Sequence, residues 1–276
     1  MNKLLQTNRI YRQFGFTMIE MIVTIVIIGI LGVGISSFIG NTTKGMIDTA
    51  ERSQVATIAW LVSERLTRSL RLALPNSIRT SSDGTCLEYI PIYAGTDYLS
   101  VPVIVSASQF EVAPFSNMAN GFNFSVQPLR VVVYPINDSS LYTLSTTSMI
   151  SSGVSQLSAG TTLNAQNIRL GTSHQFPSDS PSKRLFMVAE PNMYCFQGTT
   201  LNQYRDYGYN GTFKTTALGD PVVMGSRLGQ GLAKGQFNYS PSTLQRNAVV
   251  TINFNVLGDN GLVQAVNQEV QIRNVP

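Results

Sequence analysis

The stretch Phe16–Ile39, FTMIEMIVTIVIIGILGVGISSFI, constrains this chain more than any other part of it. It is apolar apart from a few hydroxyl side chains and a single charge, Glu20. About 20 apolar residues in helical form suffice to cross a bilayer, so the stretch is a membrane-spanning candidate. A carboxylate at the centre of such a helix costs on the order of 2.5 kcal/mol or more. Glu20 lies near the start, where the cost is smaller, yet it still asks for a partner. Lys3, Arg9 and Arg12 precede the stretch with no acidic residue among them. A basic flank of this kind keeps the N-terminus cytoplasmic and exports the C-terminal part of the chain. An ordinary signal anchor with an incidental glutamate shares these features. A cleaved secretory signal fits poorly: the run is longer than a usual h-region and no small-residue cleavage site comes cleanly after it.

The hexapeptide Gly15-Phe16-Thr17-Met18-Ile19-Glu20 resembles the processing site of type IV prepilins and type II secretion pseudopilins. The short basic leader, the glycine, the phenylalanine, the glutamate at its offset and the long apolar run all match. The resemblance implies that prepilin peptidase cuts between Gly15 and Phe16 and that Phe16 is then N-methylated. It also implies a role for Glu20 in assembly. A charged amine on Phe16 and a carboxylate on Glu20 would both lie at the hydrocarbon edge. Glu20 of one subunit pairing with the amine of the next would turn a membrane cost into a registration device, since buried charges persist when paired.

The chain has 276 residues, and more than 200 remain beyond the leader and the apolar helix. That is enough for one exported domain with its own core. Lys3, Arg9 and Arg12 account for three of the formal net charge of +4, leaving +1 for the rest. The basic balance is therefore a leader effect and gives no reason to expect nucleic acid as a partner. Charged residues make up only 12% of the chain, so its surface is solvated mainly by neutral polar groups. Cys86 and Cys195 both fall in the exported part. In an oxidising compartment two cysteines commonly pair, and two free buried thiols are the alternative.

Residues 1–15 read as leader, 16–40 as a transmembrane or filament-core helix, 41–74 as its amphipathic continuation and 75–276 as a β-rich domain. In the continuation, Ile47, Ala50, Val55, Ile58, Leu61, Val62, Leu66, Leu70 and Ala73 recur at helical spacing. Pro75 disfavours helix at Leu74 and marks the stop. A helix from Phe16 to Leu74 would be roughly 88 Å long at 1.5 Å per residue. Many major pilins carry a kinking proline in the apolar half. This chain has none there, and has Gly29, Gly32, Gly34 and Gly40 instead. Small residues let helices approach closely in membranes and also weaken local helicity.

Beyond Pro75 the pattern shifts to short strands. Cys86–Tyr93 (CLEYIPIY) reads as one strand, edged or bulged at Pro91. Leu99–Val105, Phe110–Val112, Leu129–Tyr134, Leu141–Leu144, Arg184–Glu190 and Asn192–Gln197 are further candidates. Residues 145–182, rich in Ser, Thr, Asn and Gly, read as long loops. Ala248–Leu257 alternates strictly, turns at Gly258-Asp259-Asn260-Gly261 and returns as Leu262–Arg273, which makes a hairpin. The expected fold class is α+β and type IV pilin-like, a long N-terminal helix packed on an antiparallel β-rich domain.

The segments Ser63–Arg79, Cys86–Tyr93, Leu185–Phe196 and Glu269–Pro276 resemble one minor-pilin group, the large MSHA-pilus biogenesis proteins of the MshO type. The larger minor pilins and the J-type minor pseudopilins of type II secretion are looser relatives of that group. The resemblance implies a minor pilin that primes a type IV pilus used for surface attachment, or sits near its tip. Alternatives are a tip adhesin with a surface- or glycan-binding domain and a minor pseudopilin of type II secretion. The implied partners are prepilin peptidase, the major and other minor pilins and the inner-membrane assembly platform. The implied location is the inner membrane, single-pass, with a periplasmic C-terminal domain, and then the pilus surface.

The residues give little reason to expect catalysis, a cofactor or a metal. His174 is the single histidine and reads as a solvated loop residue. No Cys/His cluster has metal-ligand spacing, and no nucleophile elbow or P-loop is present. Asp206, Asn210, Asp259 and Asn260 could offer oxygens to Ca²⁺, but turn chemistry accounts for them equally. Arg65, Arg68 and Arg71 read as a solvated helix face or a contact with acidic groups of a neighbouring subunit. Tyr194, Tyr204, Tyr207 and Tyr209 read as core and turn packing, with an aromatic binding patch as the competing reading.

Overall fold

The computed structural model describes residues 15–137, 139–216, 218–229, 235–243 and 246–272. The leader residues Lys3, Arg9 and Arg12 and the terminal 273–276 lie outside them. Helix α1 spans Met18–Arg71. Short strands β1 (Arg79–Thr80) and β2 (Cys86–Tyr89) follow, then β3 (Ile92–Asp97), β4 (Ala107–Val112) and β5 (Arg130–Val133). After the one-turn helix α2 (Ser139–Tyr142) come β6 (Ile150–Ala159), β7 (Gln166–His174), β8 (Arg184–Val188), β9 (Asn192–Gln197) and β10 (Thr200–Tyr204). The chain continues through β11 (Val222–Gly225), β12 (Gln236–Ser240), β13 (Ala248–Leu257) and β14 (Val263–Ile272). The fold is α+β, an apolar N-terminal helix followed by antiparallel sheets.

The chain divides into two compact units, Met1–Arg52 and Ser53–Pro276. In the first, every described residue from Gly15 to Ala50 is exposed, and the helix is long and apolar enough to cross a membrane. Ile47, expected on the inward face, is exposed there.

In the second unit α1 presents Val55, Ala59, Val62, Leu66 and Leu70, all buried, at steps of three or four. Such steps keep side chains on one face. Leu61, one position from Val62, points outward. The helix ends at Arg71, and Ala73 and Leu74 leave it to meet the strand segment around Pro91. The inward face shares one apolar core with Leu87, Tyr194, Phe196 and Leu201 of one sheet and with Phe237, Ile252, Phe254 and Val270 of another. The first sheet has the order β1-β2-β9-β10-β11, and the second β12-β13-β14. At Gly225 the backbone of β11 comes so close to the helix that a Cβ would sit 2.7 Å from Val62.

A third sheet, β3-β8-β5-β6-β7-β4, is built wholly from residues between β2 and β9. It is an insertion. Four of its five pairings carry a register shift, and bulges of this kind bend and twist a sheet. The two outer strands meet: Tyr98 bridges Val112, Ala113 N–H donates to Asp97 O at 2.8 Å and Leu99 N–H to Glu111 O at 3.3 Å. The sheet thus curls and closes on itself. Its interior holds Val131, Val133, Leu157, Ile168, Leu185 and Met187, capped by Phe115, Met118 and Phe124 from the loop after β4. Its outer face, with Val132, Ile150, Phe186 and α2, packs on Leu74 and Ile90.

Four sequence expectations about the strands need correcting. Cys86–Tyr93 is two strands in two sheets, β2 and β3, because the chain crosses between them at Pro91, which has no N–H to give a ladder. Residues 145–182 are not mainly loop: they contain β6 and β7, half the wall of the closed sheet. Leu141–Leu144 is no strand, since Leu141 and Tyr142 belong to α2, and Leu99–Val105 is irregular.

Candidate functional site

The N-terminal segment is built for access. Gly15, Phe16 and Thr17 lie outside the helix, so the Gly15–Phe16 peptide bond is free of intrahelical hydrogen bonding. Phe16 is 77% exposed. Thr17 caps the helix: Glu20 N–H donates to Thr17 Oγ1 at 3.3 Å and to Thr17 O at 3.1 Å. A Thr at the cap with Glu three residues on is the capping-box spacing, and a carboxylate in the first turn faces the positive end of the helix dipole. The cap fixes where the helix begins and leaves the Gly15–Phe16 bond in non-helical backbone just ahead of it. Glu20 is exposed.

At Gly29, Gly32, Gly34 and Gly40 an added Cβ would meet nothing within 4 Å among the described residues. No packing among those residues demands their smallness. Along the neighbouring turns the exposed side chains are Ile25, Ile28, Leu31, Val33, Ile35 and Phe38.

Cys86 and Cys195 form a disulfide between directly opposed positions of β2 and β9. These are the strands through which the chain leaves for the inserted sheet and returns from it. Met193, Tyr204 and Leu218 bury the bridge.

Sequence reasoning missed a second feature of this neck. Arg79 on β1 lies opposite Glu88 on β2, and the two side chains form an ion pair that is 11% and 1% exposed. Tyr207 O–H donates to the same carboxylate at 2.7 Å. The guanidinium also donates to Asn210 O at 2.6 Å and Gly211 O at 3.0 Å, and its carbon stacks 3.6 Å from the Tyr142 ring centroid. One arginine therefore ties β1, β2, the loop after β10 and α2 of the inserted sheet. Burial, with Glu88 beside it, pushes the Tyr207 hydroxyl pKa well up. The only sequence signal was an arginine and a glutamate nine residues apart flanking a turn.

Of the tyrosines expected as core or surface patch, Tyr194 and Tyr204 are buried, and Tyr207 and Tyr209 are half-buried against core clusters. Tyr194 O–H pairs with Ser69 Oγ at 2.9 Å, Tyr204 O–H donates to Gln197 Oε1 at 3.0 Å and Tyr209 O–H to Ala189 O at 2.9 Å. His174 is not a solvated loop residue. It ends β7 at 1% exposure, with Nε2 2.8 Å from Ser148 O and its ring edge-on to Phe176. Burial lowers its pKa, against the Ser148 contact, which raises it. Arg65, Arg68 and Arg71 are exposed, and Arg68 pairs with Glu64 at 3.2 Å. Asp259 pairs with Arg227 at 3.0 Å, far in sequence from Asp206 and Asn210. Among the described residues no three His, Cys, Asp or Glu side chains gather to hold a metal. A groove of about 430 Å³ runs along the seam between the helix end, β2, β9 and the inserted sheet. Tyr89, Tyr93, Glu190, Asn192, Gln203 and Arg205 are among its lining residues.

Residues 10–36 match the family model of the prokaryotic N-terminal methylation motif. The chain carries the N-terminal signature of type IV pilin-like proteins. The match brackets the exposed Gly15–Phe16 bond, the Thr17 cap and Glu20, and it extends into the apolar helix. An apolar helix behind that motif fits membrane anchoring. Comparison with curated proteins and with solved structures returned no match.

Proposed function

We propose that the chain is a minor pilin. Prepilin peptidase cuts it between Gly15 and Phe16 and methylates Phe16. The helix then anchors it in the inner membrane until it joins or primes a type IV pilus of the MSHA kind. The observation that carries this reading is the scissile bond itself, exposed, non-helical and one residue ahead of a capped apolar helix within the methylation motif. Glu20 stands one turn past Phe16, where it can take the amine of the neighbouring subunit. The glycines of the apolar helix, unused within the chain, leave room for close approach of other subunits' helices. The inserted sheet favours a minor over a major role, because extra bulk is easier to place at a filament end than at every repeat. Prepilin peptidase, the major and other minor pilins and the assembly platform are the partners in this reading.

The test is the N-terminal sequence and intact mass of the membrane-bound protein from cells with and without prepilin peptidase. A chain beginning at methylated Phe16 only when the peptidase is present is the expected result. A Met1 start in both strains would remove the proposal. Deletion then separates the roles. Loss of pili indicates priming, and loss of type II export with pili intact indicates a pseudopilin.

A tip-adhesin reading draws on the seam groove, where carboxylate, amide, guanidinium and tyrosine groups converge, a set suited to a neutral hydroxyl-rich ligand. Pili that persist but no longer attach, in a strain carrying Glu190→Gln with Arg205→Ala, would be its signature.

A further inference from the structure

The sheet edges of the exported unit are unequally protected. Strand β1 is two residues long. Strand β11 has four residues and a register shift against β10. The outer strands of the inserted sheet meet each other. Strand β12 is covered near β1 and β2, where Phe237 N–H donates to Gly84 O at 2.7 Å. Strand β14 differs. It has ten residues, pairs in unbroken register with β13 on one side and stands at the sheet edge on the other. Natural edges are blunted by proline, lysine, bulges or shortness. Within β14, VQAVNQEVQI, there is no proline, no lysine and no bulge, and Glu269 is the one charge.

The side chains show which main-chain groups face out. Gln264 Nε2 donates to Ala265 O at 3.0 Å and Gln268 Nε2 to Glu269 O at 3.1 Å. Alternate residues of an antiparallel strand bond to the same neighbour, so the outward set is Val263, Ala265, Asn267, Glu269 and Gln271. Two of their carbonyls are held by glutamines of the same strand. A row of such donors and acceptors at strand spacing matches one ligand, another extended strand.

We propose that this edge pairs with β14 of a second copy of the chain, antiparallel about a two-fold axis at Asn267. The strand is compatible with itself in that register. Outward residues then meet outward residues: Asn267 meets its own copy, Ala265 meets Glu269 and Val263 meets Gln271. No two like charges oppose. The result is one continuous sheet of six strands, β12-β13-β14 and its symmetry mate. Anchoring both copies in one membrane raises their effective concentration, so a short strand-to-strand contact suffices.

The test uses the full chain in detergent micelles. Cys86 and Cys195 are bonded to each other and no free cysteine remains, so Asn267→Cys introduces a unique thiol. Mild oxidation should give a disulfide dimer in at least tenfold higher yield than the exposed-loop control Ser125→Cys. In the Asn267→Cys background, Ala265→Glu sets two carboxylate pairs in opposition and should cut the yield severalfold. Ala265→Lys offers Glu269 a cation and should raise it, and salt should erase both effects. Ala265→Pro removes an outward N–H while leaving the bonds to β13, and it should abolish the dimer with an unchanged circular dichroism spectrum. Equal yields at positions 267 and 125 would overturn the proposal. So would a response to the 265 charge that is absent or reversed. Association through the apolar helix alone gives that flat response, and β14 pairing only with another protein leaves the chain monomeric at this edge.

Discussion

Cys86 and Cys195 face each other across β2 and β9 with their Cα atoms 4.1 Å apart, at the two points where the chain departs for the inserted sheet and returns from it. The bridge spans 109 residues of sequence, and the loop it closes holds the whole insertion. In the chain-entropy account, closing a loop of that size stabilises by about 5 kcal/mol. Cys86→Ser with Cys195→Ser should lower the urea midpoint of the Ser53–Pro276 unit accordingly. Adding reductant to the wild type should bring it to the same midpoint, read by tryptophan fluorescence from Trp60. A midpoint indifferent to both would mean that the ladder between β2 and β9 holds the neck unaided.

The sequence was most legible where one period governs a whole element. Val55, Val62, Leu66 and Leu70 mark the helix face, and Val250, Ile252, Phe254 and Val256 mark β13 by strict alternation. The motif around Gly15 was legible because its residues are local in the chain. The inserted sheet hid for a physical reason. Its bulges break alternation: in β6 the buried residues are Ile150, Ser151, Val154 and Leu157, at uneven spacing, with a register shift between Val154 and Gln156. Serines, a glycine and a glutamine fill most of the other positions, so the strand looks like loop. His174 and the Arg79–Glu88 pair were opaque because partners from distant segments, Ser148, Tyr142 and Tyr207, decide their burial.

Arg79 and Glu88 give a second prediction. Removing one partner of a buried pair strands the other charge, at a cost of about 3–5 kcal/mol. Arg79→Met should therefore destabilise the Ser53–Pro276 unit strongly, and it should also free the Asn210 and Gly211 carbonyls and the face of Tyr142. Adding Glu88→Leu removes the stranded carboxylate and should recover part of the loss, although Tyr207 O–H then lacks its acceptor. Chemical denaturation of the two singles and the double variant measures the coupling. Additive losses would show that the two charges act independently.

His174 predicts a pH dependence whose sign follows from its burial. Its pKa is lowered in the folded protein from the ordinary value of 6.5, so the unfolded chain takes up the proton first as pH falls. Stability from this group is then complete above about pH 6.5 and is lost progressively below it, down to the folded pKa. The cavity beside it is lined by Arg130, Ser145, Ser151 and Thr172, and among the described residues that line it there is no carboxylate to stabilise an imidazolium. His174→Gln should flatten the slope of stability between pH 7 and pH 5 relative to wild type. An unchanged slope would assign the dependence to other groups.

Leu66 is buried and Trp60 is exposed on the same helix, and they should behave oppositely. Leu66 is fully buried between the helix and both sheets of the shared core, and Leu66→Ala should cost about 2–5 kcal/mol through lost burial and the cavity left behind. Trp60 is 64% exposed. Trp60→Ala should move stability by no more than about 0.5 kcal/mol, as at most surface positions. An exposed tryptophan has the composition of an interface anchor, so its loss should appear in assembly. Pilus counts in cells carrying Trp60→Ala, with the protein present at wild-type level, separate the two effects. Fewer pili at equal protein level place Trp60 in a subunit contact. Normal pili would leave it a solvated side chain on the outer face of the helix.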